Sequence, residues 1–160
     1  MDQITYRLAE EKDVDVLLGL IKELAEYEKM TDQVLNSPEL MREWFFKKQA
    51  AQAFLAEVDG EAVGMAIFFR TYSTFVGRGG IHLEDLFVKK AFRGQGIGKT
   101  LLRKVAAVAV TEGCGRMEWN CLNWNTPSIE FYHSLGAIPL SEWTYYRLAG
   151  KTLETVAKPQ

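Results

Sequence analysis

A strand-like run, a glycine-rich turn and a helical pattern follow one another without a break between Leu86 and Leu102. Three glycines, Gly94, Gly96 and Gly98, stand at alternate positions in the turn. Glycine allows positive φ and lets backbone N–H groups approach a ligand closely, while the start of the following helix favours negative charge. The segment therefore predicts a strand-turn-helix unit that binds a phosphate or pyrophosphate.

The spacing of the turn argues against two common phosphate motifs. The dinucleotide fingerprint requires G-x-G-x-x-G, and the glycines here are one residue too close. A P-loop requires G-x-x-x-x-G-K-S/T; Gly98-Lys99-Thr100 supplies its end, but its first glycine would fall on Arg93. The remaining match is the pattern R-G-x-G-I/V-G/A over residues 93–98, in which successive amides surround a pyrophosphate. The alternative is a glycine-rich turn that binds no ligand.

Composition excludes several other classes of protein. A chain of 160 residues, 48% hydrophobic and 25% charged, suits one globular domain with a proper core. A net charge of −2 and a pI near 5.8 argue against binding nucleic acid by phosphate neutralisation. No run approaches the ~18 apolar residues that span a bilayer, and the N-terminus lacks the apolar stretch of a signal peptide. We expect no nucleic-acid or membrane partner.

The cysteines and histidines predict neither a disulfide framework nor a metal site. Cys114 and Cys121 are the only cysteines, which favours a reducing cytoplasm. His82 and His133 lie far apart, without another Cys or His at ligand spacing. We expect a cytoplasmic protein that binds no metal.

Hydrophobic periodicity and turn residues predict the element order β-α-α-β-β-β-α-β-α-β. The predicted strands are residues 4–8, 53–58, 61–72, 81–88, 116–122 and 143–148, with a hairpin at Asp59-Gly60 and a turn at 77–80. The predicted helices begin after Asp13, at Ser37-Pro38, after the glycine turn and at Asn125, with Gly113 and Gly136 ending the last two. This order predicts an α/β protein in which helices flank a mixed sheet with at least one parallel crossover.

With these motifs the chain resembles the GNAT superfamily of acetyl-CoA-dependent N-acetyltransferases over nearly its whole length, as a single domain of residues 1–160. Three segments are similar to the spermidine/spermine (diamine) N-acetyltransferase group and its thialysine-acetylating members: residues 23–28, 83–88 and 124–132. The resemblance implies a mostly antiparallel mixed sheet with splayed strands, acetyl transfer to a primary amine of a small cationic substrate, and a homodimer.

The resemblance also implies where acetyl-CoA binds. The end of the central strand would hold the pantetheine arm through its backbone, as a strand edge holds a peptide. The turn would hold the pyrophosphate through amides, with an arginine beside them adding charge. These implied cofactor residues are Leu86, Phe87, Val88, Arg93, Gly94, Gln95, Gly96, Ile97, Gly98, Lys99, Asn125, Ser128 and Tyr132.

Two catalytic residues follow from the same resemblance. It assigns the Tyr132 hydroxyl to the thioester sulfur as a general acid, and Glu84 to the substrate amine, directly or through water. Glu84 and Asp85 are neighbours in a strand, so regular alternation points them to opposite faces and leaves open which one faces the acetyl group. Tyr27 and Glu28 match positions that line the amine site.

The chain departs from the animal diamine enzymes at two places. It has Trp143-Thr144 in place of an acidic pair, and Phe75 in place of a tryptophan. Fewer negative charges weaken the expectation of a long polycation such as spermine. They bring a shorter ω-amino compound, or a lysine-like amino acid such as thialysine, into equal consideration. Two other functions stay open: an acetyltransferase acting on a protein or peptide, and a CoA-binding sensor that catalyses nothing.

Overall fold

The computed structural model describes residues 3–160; Met1 and Asp2, which the sequence analysis includes in the domain, lie outside the described residues. The chain forms two compact units with the boundary after Asn120. The first unit contains strands β1 (Ile4–Leu8), β2 (Gln52–Val58), β3 (Glu61–Ser73), β4 (Arg78–Val88) and β5 (Arg116–Glu118) and helices α1 (Val14–Tyr27), α2 (Pro38–Met41) and α3 (Ile97–Thr111). The second unit contains α4 (Thr126–Ser134) and α5 (Gly150–Ala157).

The five strands form one sheet in the order β1-β2-β3-β4-β5. Neighbours from β1 to β4 are antiparallel, and β5 is parallel to β4 after the crossover through α3. The predicted hairpin is confirmed, since Asp59 and Gly60 join β2 to β3 at φ values of 50° and 83°. The mixed, mostly antiparallel sheet with one parallel crossover is therefore confirmed as well.

Helices cover the sheet on both faces. Residues 63–68 of β3 are buried without interruption, which is typical of a strand between two layers. On one face Met65 and Ile67 pack with Val14, Leu17 and other buried side chains of α1. On the other face α3 packs against β2, β3 and β4 through Leu101 and its neighbours. In the described part of the chain no helix is long and apolar enough to cross a membrane.

Several predicted boundaries need correction. β4 begins at Arg78, so the turn before it spans residues 74–77. It overlaps the predicted turn at 77–80 only at Gly77, which has a φ of 74°. The predicted strand 116–122 ends at Glu118. Gly113 and Gly136 follow their helices at φ 74° and 84°, one residue after the caps. The second predicted helix is confirmed in two parts, α2 and a π-helical segment over Arg42–Lys47.

The predicted strand 143–148 is wrong, and α5 was not predicted. Residues 143–149 have no regular secondary structure, although the segment is rich in aromatic residues. Aromatic residues are enriched in strands, but a strand also needs a partner for its backbone N–H and C=O groups. The unit 121–160 contains no other strand that could provide one.

An ion-pair network joins β1, β2 and the start of α1. The guanidinium of Arg7 donates to both carboxylate oxygens of Asp13, at 2.7 and 2.8 Å, and to Glu57 at 2.7 Å. Asp13 directly precedes α1, as predicted, yet its side chain accepts from the backbone N–H of Glu10 at 2.7 Å rather than from α1. The Arg7 hydrogen bonds and charge lower the pKa of Asp13.

We predict that Asp13→Asn destabilises the protein by about 2 kcal/mol at pH 7, the usual scale for hydrogen bonds to charged groups. A carboxyl whose pKa is lowered by folding contributes stability above its ordinary pKa, 3.8, and loses it as the pH falls through the lower folded value. Urea unfolding of the parent protein and of Asp13→Asn should therefore show a difference in the free energy of unfolding that is constant near pH 7 and becomes smaller below about pH 4. A difference that is independent of pH would contradict the ionic origin of this stability.

Candidate active site

Strands β4 and β5 separate soon after they meet. They pair through three residues of each strand, from Gly80 with Arg116 to His82 with Glu118, whereas β4 continues to Val88 along β3. Within residues 3–120, no strand pairs with this second edge of β4 beyond His82. The unpaired edge presents backbone N–H and C=O groups that a ligand containing amides could bind.

A β-bulge at Glu84 interrupts β4 at the start of this unpaired edge. Phe68 of β3 lies opposite Leu83 and Ile67 lies opposite Asp85, so Glu84 has no partner on β3. Residues directly opposite each other share a face of the sheet, which places Asp85 with Ile67 on the α1 face. A bulge is a common device for turning a side chain in a new direction.

Glu84 lies on the same face as Asp85, which corrects the prediction that the two carboxylates point to opposite faces. His82 is opposite Phe69, two residues beyond Ile67 and hence also on the α1 face, and its ring centroid lies 4.9 Å from that of Phe69. The Oε2 atom of Glu84 lies 3.5 Å from Nε2 of His82. The extra residue of the bulge removes the alternation on which the prediction rested.

Two carboxylates, Glu84 and Glu28, act on a third, Asp85, at this place. Burial, followed by the charges of Glu84 and Glu28, raises the pKa of Asp85 to about 7. Burial also raises the pKa of Glu28, the residue that ends α1. The Glu84 side chain is 56% exposed, so Asp85, not Glu84, is the carboxylate in an apolar setting. The acidic trio Glu28, Glu84 and Asp85 is thus suited to bind a cation, which would favour the ionised form of Asp85.

The glycine turn has the geometry that its sequence predicts. Gly94 and Gly96 have φ values of 80° and 79°, which favour glycine. The first hydrogen bond of α3 runs from Thr100 N to Gly96 O, and no side chain caps the helix. The amides of residues 97–99 therefore have no partner within the helix, and its first turn carries no acidic residue. An anion fits this helix start.

Arg93 is an exposed residue whose side chain nevertheless contacts the protein. Its Nε donates to the carbonyl of Val88 at 2.8 Å. Its guanidinium carbon lies 5.1 Å from the ring centroid of Tyr27 and 5.6 Å from that of Phe87. Sequence analysis assigned Arg93 to the pyrophosphate; in the structure it joins the end of β4 to the end of α1.

The second unit positions the remaining predicted residues on α4. Asn125 is buried, and its Oδ1 accepts from the backbone N–H of Ser128 at 3.4 Å, so its expected role as a helix cap is confirmed. Tyr132 is half-buried, and its ring centroid lies 5.5 Å from that of Phe131.

Comparison with known proteins identifies the family. The profile of the Acetyltransferase (GNAT) family matches residues 17–137. The chain belongs to the GNAT acetyltransferase family. It is 38% identical to thialysine N-epsilon-acetyltransferase of Sus scrofa over 98% of this chain and 99% of that protein. It is 34% identical to spermidine/spermine N(1)-acetyltransferase-like protein 1 of Homo sapiens over 98% of this chain and 24% of that protein. Among solved structures, an integron cassette protein from the mobile metagenome of V. cholerae superposes with a TM-score of 0.81 at 26% identity, covering 98% of both chains.

GNAT acetyltransferases take their acetyl group from acetyl-CoA, and the first unit offers both kinds of contact that this molecule needs. The unpaired edge of β4 up to Val88 suits the two amides of pantetheine. The turn at 94–99 suits the pyrophosphate. Both contacts would come from backbone groups, which glycine lets a ligand approach closely.

Two residues of this site, Asp85 and His82, are not predicted from the sequence. Asp85 was considered beside Glu84 but was not assigned a role, because alternation separates the two. His82 was considered only as a metal ligand. In the described residues no group of three or more His, Cys, Asp or Glu could hold a metal ion, yet His82 contacts Glu84. The adjacent carboxylates of Glu84 and Asp85 were the available signal in the sequence. The bulge that places them on one face depends on the pairing of β4 with β3, so no local pattern in the sequence predicts it.

We predict that Gly96→Ala weakens coenzyme A binding at least tenfold and destabilises the protein by ~1 kcal/mol, because alanine is strained at positive φ. Gly98→Ala is the matched control: Gly98 has no positive φ, and the nearest atom to an added Cβ is Cγ2 of Val88 at 3.7 Å. Calorimetric titration measures the affinity of both variants for coenzyme A, and urea unfolding measures their stability. Equal losses for the two variants would contradict the specific role of Gly96.

Proposed function

We propose that the protein transfers acetyl from acetyl-CoA to a primary amine of a small cationic molecule, by direct attack in a ternary complex. The observation that carries the proposal is the acidic trio, assembled by the bulge beside the unpaired edge of β4. The trio suits the reacting ammonium, and the similarity to thialysine N-epsilon-acetyltransferases favours a small molecule over a peptide as its carrier. We further propose that residues 1–160 act as one domain, since the GNAT match spans residues on both sides of Asn120.

The proposed reaction requires the substrate ammonium to lose a proton before it attacks. A primary ammonium has an ordinary pKa near 10.4, so few molecules are reactive at pH 7. Glu84 and Asp85 bind the cation and pass its proton, directly or through water, toward solvent. The free amine then attacks the thioester carbonyl, a C–N bond forms and the C–S bond breaks. In this scheme the Tyr132 hydroxyl gives its proton to the departing thiolate.

Two features support a lysine-like amino acid as the substrate in preference to a long polyamine. Two relatives that match over nearly their whole length are named thialysine N-epsilon-acetyltransferase. In addition, Trp143 and Thr144 replace an acidic pair of the animal diamine enzymes, which leaves fewer charges for a second and third ammonium. We propose that Tyr27 and Glu28 line this amine site, with Glu28 completing the acidic trio.

We also propose a homodimer in the cytoplasm. Residues 138–156 expose many large apolar side chains, more than an isolated small protein usually leaves in water. They include Ile138, Leu140, Trp143, Tyr145, Tyr146, Leu148, Leu153 and Val156. Neither Cys114 nor Cys121 forms a disulfide, which suits a reducing compartment. Light scattering tests the dimer, and a monomer at micromolar concentration would contradict it.

The test is release of coenzyme A from acetyl-CoA with thialysine, lysine, putrescine, spermidine and short peptides. We expect thialysine to give the highest kcat/KM. Activity with peptides alone would favour the protein acetyltransferase, and coenzyme A binding without any activity would favour the sensor.

In the same assay Tyr132→Phe should lower kcat at least a hundredfold with little change in the affinity for coenzyme A. Unchanged kcat would remove Tyr132 from the mechanism.

We predict that Asp85→Asn raises the KM for the amine at least tenfold at pH 8. A carboxyl with a pKa of about 7 is largely protonated at pH 6 and ionised at pH 8, so in the parent protein KM should fall as the pH rises across this range. Asp85→Asn should abolish this dependence. Asp59→Asn, the same chemical change in the exposed β2-β3 hairpin, serves as the matched control. A pH dependence that survives in Asp85→Asn would assign it to another group.

A further inference from the structure

Arg93 lies at the junction of three parts of the site. It belongs to the glycine turn, it donates to the carbonyl of the last residue of β4, and its guanidinium lies over the ring of Tyr27 at the end of α1. The planar guanidinium also approaches Phe87, a buried residue of the α1-face core. The side chain is therefore held at three points, by one hydrogen bond and two rings.

These contacts differ from those of a pyrophosphate ligand. A guanidinium that binds phosphate uses its N–H fork bidentately. In Arg93 the Nε already donates to Val88, and the guanidinium carbon lies 5.1 Å from the ring centroid of Tyr27 and 5.6 Å from that of Phe87, so only the two terminal NH2 groups are left to donate to an anion. The amides of the turn supply the anion site without it.

We propose that Arg93 is a positioning residue that makes the binding of coenzyme A and the binding of the amine depend on each other. This inference rests on the proposed function, in which Tyr27 lines the amine site. A ligand that fixes the turn at 94–99 also fixes Arg93, and Arg93 then holds the Tyr27 ring in the position that the amine contacts. Linkage requires the reverse effect to have the same size.

The neighbouring lysine provides a weaker link between the same elements. Lys89 follows β4, and its Nζ lies 3.9 Å from Glu23 of α1 and 3.4 Å from Glu61 of β3. Both are partly exposed ion pairs of long side chains, and such pairs contribute little. Arg93 combines a backbone hydrogen bond with ring contacts, so we assign the coupling to Arg93.

The test measures the dissociation constant of thialysine, or of spermidine if that is the better substrate, with and without saturating coenzyme A. In the parent protein we expect coenzyme A to tighten amine binding about tenfold, within the usual range for coupled sites. Arg93→Lys keeps the charge but loses the planar face and the Nε donor. We expect it to reduce the coupling to less than about twofold while the affinity for coenzyme A alone changes less than threefold.

Two further variants make the result specific. Lys99→Gln removes a charge from the same turn without touching Tyr27; it should weaken coenzyme A binding and preserve the coupling. Tyr27→Leu should abolish the coupling, and adding Arg93→Lys to it should have no further effect on the coupling. Circular dichroism checks that each variant is folded. If Arg93→Lys is unfolded, the loss of coupling in Tyr27→Leu is the result that tests the inference.

The outcomes distinguish this inference from the proposed function. An Arg93→Lys variant that loses coenzyme A affinity but keeps the coupling would make Arg93 a pyrophosphate ligand and overturn the inference alone. A parent protein that binds and acetylates the amine with no coupling would also overturn the inference alone. A parent protein that acetylates no small amine would overturn the proposed function, and this inference with it.

Discussion

The pairing of β4 is the constraint on which the rest of the site depends. Its edge toward β3 is paired to the end of the strand, whereas its edge toward β5 is paired only as far as His82. The first pairing holds β4 rigidly in a buried sheet, and the second leaves backbone groups exposed for a ligand. The bulge at Glu84 lies just beyond the last β4-β5 pair, so the unpaired edge and the two adjacent carboxylates begin at the same point.

The acidic trio is unfavourable for folding and favourable for binding a cation. A carboxyl whose pKa rises on folding reduces stability progressively as the pH rises from its ordinary value, 3.8, to the folded value of about 7 for Asp85. At neutral pH the folded protein therefore holds a carboxylate that water would solvate better. An ammonium placed beside it removes much of this penalty, which explains why such a group suits a binding site better than a structural one. The Arg7–Asp13–Glu57 network shows the opposite case, in which the cation is already part of the protein.

Local patterns predicted those parts of the fold that local physics determines. The glycine spacing at residues 94–98 predicted a turn that leads directly into a helix, and Asp59-Gly60 predicted a hairpin; both are confirmed. The bulge could not be predicted in this way, because it is a mismatch in register between β3 and β4. The strand prediction at 143–148 failed for a related reason, since residue composition describes one strand but not its partner. Arg93 shows the same limit: its neighbours in sequence indicate phosphate binding, whereas its contact with Tyr27 arises only when α1 and β4 meet.

The central claim is that the bulge brings Asp85 into an acidic, partly apolar site that receives the substrate ammonium. The most direct measurement is a carbon-13 NMR titration of the aspartate carboxyl groups, assigned with Asp85→Asn, with coenzyme A bound and in the presence and absence of the amine. We expect the Asp85 carboxyl to titrate near pH 7 without the amine and well below it when the amine is bound. An Asp85 carboxyl that titrates near its ordinary pKa of 3.8, and does not respond to the amine, would contradict the account.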